Sequence, residues 1–354
     1  MSPETARQRA ALRLASAATL ALVWGTVAGE PLPGLTAVLA AQILVAMPRP
    51  PRPRQAAALV AVIAITGGAA YAVTAAFTDR LPMLTAALGL LFFVGFAMRE
   101  RAAGRPSLPA TMLLNATAVV PVLTFQADIL GAGVIKTLVI AAIRATLVVW
   151  LLYAVFPAPQ EEAAASVPAG AASASGTSVT EKGGVARTLA KVAIVLPAEL
   201  YYLAEPTALA FLALLGLVTF LTAQDPAAGR AQLVILLLGN LVGSVAAAAA
   251  AVLEVGPPLP ALTLMALLGS LGFAGWIITK GRRQGGAVAL TGLVTFVMLF
   301  GFAASPVPFD VPVLDRIVDI FVLSLYTVGA TTLLLPPPDP RRPAAVAPHS
   351  AHIS

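Results

Sequence analysis

Leu81-Pro82-Met83-Leu84-Thr85 opens an apolar run and returns as Leu259-Pro260-Ala261-Leu262-Thr263 at the head of another. The neighbouring joints return in the same order. Gly29-Glu30-Pro31 has its counterpart in Ala204-Glu205-Pro206, and Phe125-Gln126-Ala127-Asp128 in Pro308-Phe309-Asp310. Six apolar stretches fill residues 10–157 and six more fill residues 186–336. The chain reads as one membrane unit written twice.

Composition supports that reading. Of 354 residues, 59% are hydrophobic and 11% charged, whereas an ordinary soluble domain carries about 25% charged residues. A bilayer core needs about 20 apolar residues per helix. The sequence predicts helices at 10–28, 34–47, 56–77, 82–98, 107–126 and 131–156, then at 186–204, 207–223, 230–254, 259–279, 286–304 and 312–335. The expected fold class is an all-α polytopic membrane protein with about twelve transmembrane helices as two parallel six-helix repeats. Residues 1–157 form the first repeat and 185–336 the second; 158–184 is a flexible cytoplasmic linker rich in Ala, Ser and Gly, and 337–354 a disordered cytoplasmic tail. The 34–47 stretch is short for a perpendicular span, so a tilted, extended or re-entrant helix are all open for it.

Loop charge sets the orientation. Arg7, Arg9 and Arg13 precede the first helix, and Arg49, Arg52, Arg54, Arg99, Arg101 and Arg105 follow in alternate loops. Lys182, Arg187 and Lys191 end the linker; Arg230, Lys280, Arg282, Arg283, Arg341 and Arg342 continue the pattern. Only Arg80 falls in a loop on the opposite face. The positive-inside rule places the basic face, the linker and both termini in the cytoplasm, with the bacterial inner membrane as the expected location. The basic start before the first helix resembles a signal peptide, but its internal counterpart at Val192–Leu203 argues for a retained helix.

Several chemistries are excluded. There is no Cys, and the two His residues, His349 and His352, lie at the very end. Thiolate chemistry is absent, no metal site or cofactor is expected, and no nucleophile–base set suggests an enzyme. The net charge of +6 is explained by loop bases rather than by nucleic-acid binding. No Gly-rich phosphate loop is present, so any driving energy comes from an ion gradient or another protein.

Charge within the apolar stretches is the functional hint, because it is expensive there. Arg144 lies mid-segment, where its guanidinium can hold an anion; Lys136, two turns earlier, can assist. A structural salt bridge is the alternative for Arg144, and snorkelling for Lys136. Arg316 and Asp319 stand three residues apart at the start of the twelfth segment, where they can pair with one another. Glu199 follows Pro197 and precedes Tyr201 and Tyr202. Arg144, Lys136 and Arg316 are the expected substrate-binding residues, and Glu199 and Asp319 the proton-coupling ones. The repeated Glu-Pro joints at Glu30 and Glu205 read as shared tight turns, and Asn240 and Gly239…Gly243 as helix-packing elements.

The basic start Arg9-Ala10-Ala11-Leu12-Arg13-Leu14-Ala15, followed by six helices, a linker and six more, resembles the fusaric acid resistance and aromatic acid exporter superfamily. Within it, the chain resembles a compact, membrane-only branch described as a domain of unknown function, DUF2955. The chain departs from the better-known exporters in lacking a large cytoplasmic domain between its halves. The resemblance implies an inner-membrane exporter of small organic, possibly aromatic, acids that works with a periplasmic adaptor of the membrane-fusion type. The expected partners are therefore the lipid bilayer, a small organic anion and that adaptor, with a homo-oligomer also open. The competing expectation is a membrane scaffold or assembly factor that moves nothing.

Overall fold

A computed structural model describes residues 3–47, 49–102, 107–126, 133–157, 181–205, 210–222, 226–252, 259–280, 284–303 and 313–334. The expected turns at 127–128 and 308–310, most of the linker and the tail lie outside them. Twelve α-helices run through the described residues, with no strand among them. They are α1 (Pro3–Val27), α2 (Pro33–Ala46), α3 (Pro53–Phe77), α4 (Leu81–Arg101), α5 (Leu108–Gln126) and α6 (Gly133–Val155), then α7 (Glu181–Ala204), α8 (Ala210–Thr222), α9 (Pro226–Val252), α10 (Leu259–Lys280), α11 (Gln284–Ala303) and α12 (Val313–Leu334). Six are long and apolar enough to cross a membrane: α1, α3, α4, α6, α10 and α11. This is the makeup of a multi-pass membrane protein.

Several helices outrun their apolar windows. α1 starts at Pro3 and α7 at Glu181, inside the expected linker, while α4 continues to Arg101. Apolar length reports the part of a helix that lipid or protein covers; the backbone ladder continues into water for as long as the residues favour it. α7 thus takes in Lys182, while Arg187 and Lys191 fall within the helix expected over 186–204.

Local chemistry explains the joints. Pro33, Pro53 and Pro82 stand in the first turn of their helices, where the missing N–H removes nothing from the helix ladder. α1 ends in a left-handed residue, Gly29, at φ 65°. The Gly29 N–H donates to the Thr26 carbonyl at 3.0 Å and the Glu30 N–H to the Gly25 carbonyl at 2.9 Å. This is the paired C-terminal closure that satisfies otherwise orphaned carbonyls. The tight turn expected at Glu30 is therefore present.

The first six helices and the second six pack alike. α3 lies on α5 as α9 lies on α11, and α2 lies on α6 as α8 lies on α12. Contacts between the sets come in exchanged pairs: α1 on α10 with α7 on α4, and α2 on α11 with α8 on α5. Glycine permits the closest approaches. A Cβ on Gly243 would stand 2.5 Å from the Gly292 carbonyl oxygen, and one on Gly239 2.9 Å from that of Val288. The Gly239…Gly243 pair is therefore a tight α9–α11 crossing, with the Thr295 hydroxyl donating to Asn240 Oδ1 at 2.8 Å across it.

Candidate functional site

Arg144 meets its acid at the start of α2. This helix has 14 residues, about 21 Å at 1.5 Å per residue, against a hydrocarbon core of about 30 Å. Two contacts with α6 fix its height. Near its start, the Arg144 guanidinium donates to Glu30 Oε1 in a close ion pair. Near its end, the Tyr153 hydroxyl donates to the Met47 carbonyl at 2.7 Å. Arg144 lies about 16 Å along α6 from Gly133, and Tyr153 about 13 Å further on. The α1–α2 joint is therefore recessed to about mid-height of α6.

The basic end of this unit is pinned by long side chains. Arg13 is buried, donates to the Phe156 carbonyl at 3.3 Å and sits 4.5 Å from the Tyr153 ring centroid. The Trp150 indole N–H donates to the Pro51 carbonyl at 2.8 Å. Tyr153→Phe removes one hydrogen bond and leaves the Met47 carbonyl without that donor. It is expected to lower stability by about 1 kcal/mol, readable as a lower unfolding midpoint in detergent with no other change.

At mid-height the site is built from four chain segments. Glu30 is 7% exposed, and its second oxygen accepts the Thr36 hydroxyl at 3.0 Å. The carboxylate also stands at the N-terminal end of α2, where the helix dipole favours negative charge. Gly25 makes the space: a Cβ there would come 2.8 Å from Glu30 Oε2. Arg144, with a side chain 23% exposed, lies 5.9 Å from the Trp24 ring centroid. Among the described residues its one hydrogen bond is to Glu30, so most of its five N–H donors remain for something else. Gly34, four residues after Glu30, packs on α11 with its would-be Cβ 2.8 Å from the Val297 carbonyl oxygen. The ion pair thus adjoins the seam between the two sets of helices.

Of the other predicted residues, Lys136 and Glu199 do not join Arg144. Lys136 is exposed near the start of α6, as snorkelling requires. It is about 12 Å from Arg144 along the helix. Arg316 and Asp319 lie on α12, and their side chains are outside the described residues. Glu199 is in the second set of helices. It is 0% exposed, and among the described residues neither carboxylate oxygen has a hydrogen-bond partner. It sits within the α7 stretch whose neighbours Val195, Ala198 and Tyr202 join a cluster with Leu84, Leu88, Phe92 and Phe96 of α4. Pro197 in the same helix frees a backbone carbonyl one turn back. Glu205, which stands in the Glu-Pro joint that matches Glu30 in sequence, is exposed.

Glu30 and Trp24 are the residues that the sequence reading missed. The signal was an inventory: a bilayer arginine needs an acid, and residues 10–157 hold only Glu30, Asp79, Glu100 and Asp128. The carboxylate that pairs with Arg144 comes from its own half.

The chain matches a family described as a protein of unknown function, DUF2955, over residues 10–155. That stretch holds α1 to α6 and the Arg144–Glu30 pair. No curated protein and no solved structure matches the chain.

Proposed function

We propose that the protein is a secondary exporter of small organic, possibly aromatic, anions in the bacterial inner membrane, driven by the proton gradient. The halves are two parallel six-helix repeats with about twelve spans, both termini and the linker in the cytoplasm, and access alternates as one half rocks on the other. The exchanged packing of α1–α10 and α7–α4 favours this reading, as does a family match that covers the first six helices and stops.

The observation that carries the proposal is Glu199. Among the described residues this carboxylate is sealed by apolar side chains with no partner, which is costly in either charge state and most of all when ionised. Such a group persists in membrane helices chiefly where it does work. Glu199 takes up and releases the proton, with Asp319 as a second carrier. Arg144 offers its unused donors to the anion's carboxylate, with Trp24 providing an aromatic face beside it; Lys136 and Arg316 draw the anion toward the protein. The partner on the far side is a periplasmic adaptor.

One observation favours a different reading. Arg144 and Glu30 neutralise each other within one half, as they would in a scaffold whose charges only fix helix packing. Accumulation separates the two. Cells making the protein are expected to retain less of a weak aromatic acid than cells without it. Glu199→Gln is expected to erase that difference at unchanged protein level, because the amide matches the protonated acid in shape but cannot release and regain a proton. Equal retention with and without the protein contradicts export and leaves the scaffold.

A further inference from the structure

A second ion pair crosses between the halves. Lys191 of α7 donates to Glu100 Oε1 of α4 at 2.5 Å, with side chains 3% and 20% exposed. The Lys191 ammonium also lies 5.7 Å from the Phe96 ring centroid. Glu100 is the last position of a stripe along α4, with Leu84, Leu88, Phe92 and Phe96 at four-residue spacing, each of them fully buried. At four-residue spacing the stripe turns about 40° per step, so Phe92, Phe96 and Glu100 share the face of α4 that holds Gly89, while Leu84 lies well round from it. That face meets α7: a Cβ on Gly89 would stand 3.5 Å from Leu196 and 4.0 Å from Val192. Phe92 and Phe96 stack with centroids 6.4 Å apart.

Order along the seam matters. Lys191 is eight residues before Glu199, about 12 Å nearer the basic end of α7. Going inward from that end, the seam presents the Lys191–Glu100 pair, then the ring of Phe96, then that of Phe92, alongside the turns that lead to Glu199. The exchanged seam, α1 on α10, is built differently at its corresponding end. There Ala11, Ala15 and Ala274 pack with Leu271 and Ile278. Arg13, the buried base of α1, reaches the α6 terminus of its own half.

We infer that Lys191 and Glu100, with Phe96 and Phe92 beneath them, form a latch that closes the basic end of the α4–α7 seam and bars water on that side from Glu199. A buried lysine held by one carboxylate and one ring has two discrete arrangements, docked and released. Released, its ammonium and the carboxylate regain water, which offsets much of the lost attraction. That near balance suits a joint that must open. The inference rests on the proton role proposed for Glu199.

The absence of Cys makes a direct test available. Ala198→Cys places one thiol beside Glu199. Inverted vesicles that expose the basic face are treated with a membrane-impermeant thiol reagent, and the rate of modification is read by mass. The single-Cys protein is expected to react slowly. Adding Glu100→Gln with Lys191→Gln is expected to speed modification about tenfold, the response to a shift of about 1.4 kcal/mol in the closed–open balance. Glu100→Lys with Lys191→Glu is expected to restore the slow rate. Glu100→Gln alone is the milder opening, and Val195→Cys a second reporter. An unchanged rate after the pair is removed, or a fast rate before it, overturns the latch. The labelling reads the barrier itself, so a responsive thiol in a protein that exports nothing faults the exporter reading and not the barrier.

Discussion

Arg144→Gln is expected to destabilise the folded protein by roughly 3–5 kcal/mol, the usual loss when one member of a buried ion pair is removed. Glu30→Gln is expected to lose less. The difference follows from what each change leaves behind. Without Arg144, the Glu30 carboxylate stays 7% exposed, recessed in the bundle with only the Thr36 hydroxyl to satisfy it. Without Glu30, Arg144 keeps a side chain that is 23% exposed, rests near Trp24, and has a long stem with which to reach water. The double variant, with Gln at both positions, restores neutrality in nearly the same volume and should recover much of the Arg144→Gln loss. Unfolding of all three in detergent checks this. A double variant as unstable as the sum of the two singles would show that the pair is not coupled.

Gly301→Ala is expected to weaken the joint between the halves by about 1–3 kcal/mol, the range for overpacking a close contact. A Cβ at Gly301 would stand 2.6 Å from the Gly34 nitrogen and 2.7 Å from its Cα. The reverse change, Gly34→Ala, would bring a Cβ within 2.9 Å of the Met298 Cα. Both obstacles are backbone, so no side chain can swing aside, and α2 must draw away from α11. The displacement would also move Pro33 and Glu30, so loss of Arg144 pairing should accompany it. Gly272 and Gly275 on α10 serve as controls, because nothing lies within 4 Å of their would-be Cβ atoms. Alanine there is expected to stabilise the helix by about 0.5–1 kcal/mol. Equal unfolding midpoints for Gly301→Ala and Gly275→Ala would contradict the close crossing.

The helices and Arg144 were legible in the sequence for different reasons. Apolar length and the recurrent Leu-Pro and Glu-Pro joints mark helices directly, since a proline at a helix start leaves a local trace. Arg144 stood out because a guanidinium in an apolar run is expensive, whether it serves an anion or a structural salt bridge. Glu30 did not stand out. Its recurrence as Glu205 pointed to turn geometry, which it does supply, and hid the fact that only the first copy buries its carboxylate. Periodicity placed Lys136 and Arg144 near one face of α6, but a shared face says nothing of depth, and about 12 Å along the helix separates a snorkelling base from a buried one. Lys191 was counted with the loop bases because its partner, Glu100, is distant in sequence and lies on a helix of the other half. Contacts across the seam depend on how the halves dock, and no single window of residues records that.

Proton movement tied to anion movement is the most direct test of the proposed function. Wild type and Glu199→Gln are reconstituted at equal protein content into liposomes carrying a lumenal pH dye. A gradient of an aromatic carboxylate is then imposed, with protein-free liposomes reporting the leak of neutral acid. The wild-type protein is predicted to move protons in exchange for the anion well above that leak, and Glu199→Gln to fall to it while remaining as stable as wild type. Superimposable traces from the three preparations would contradict the account.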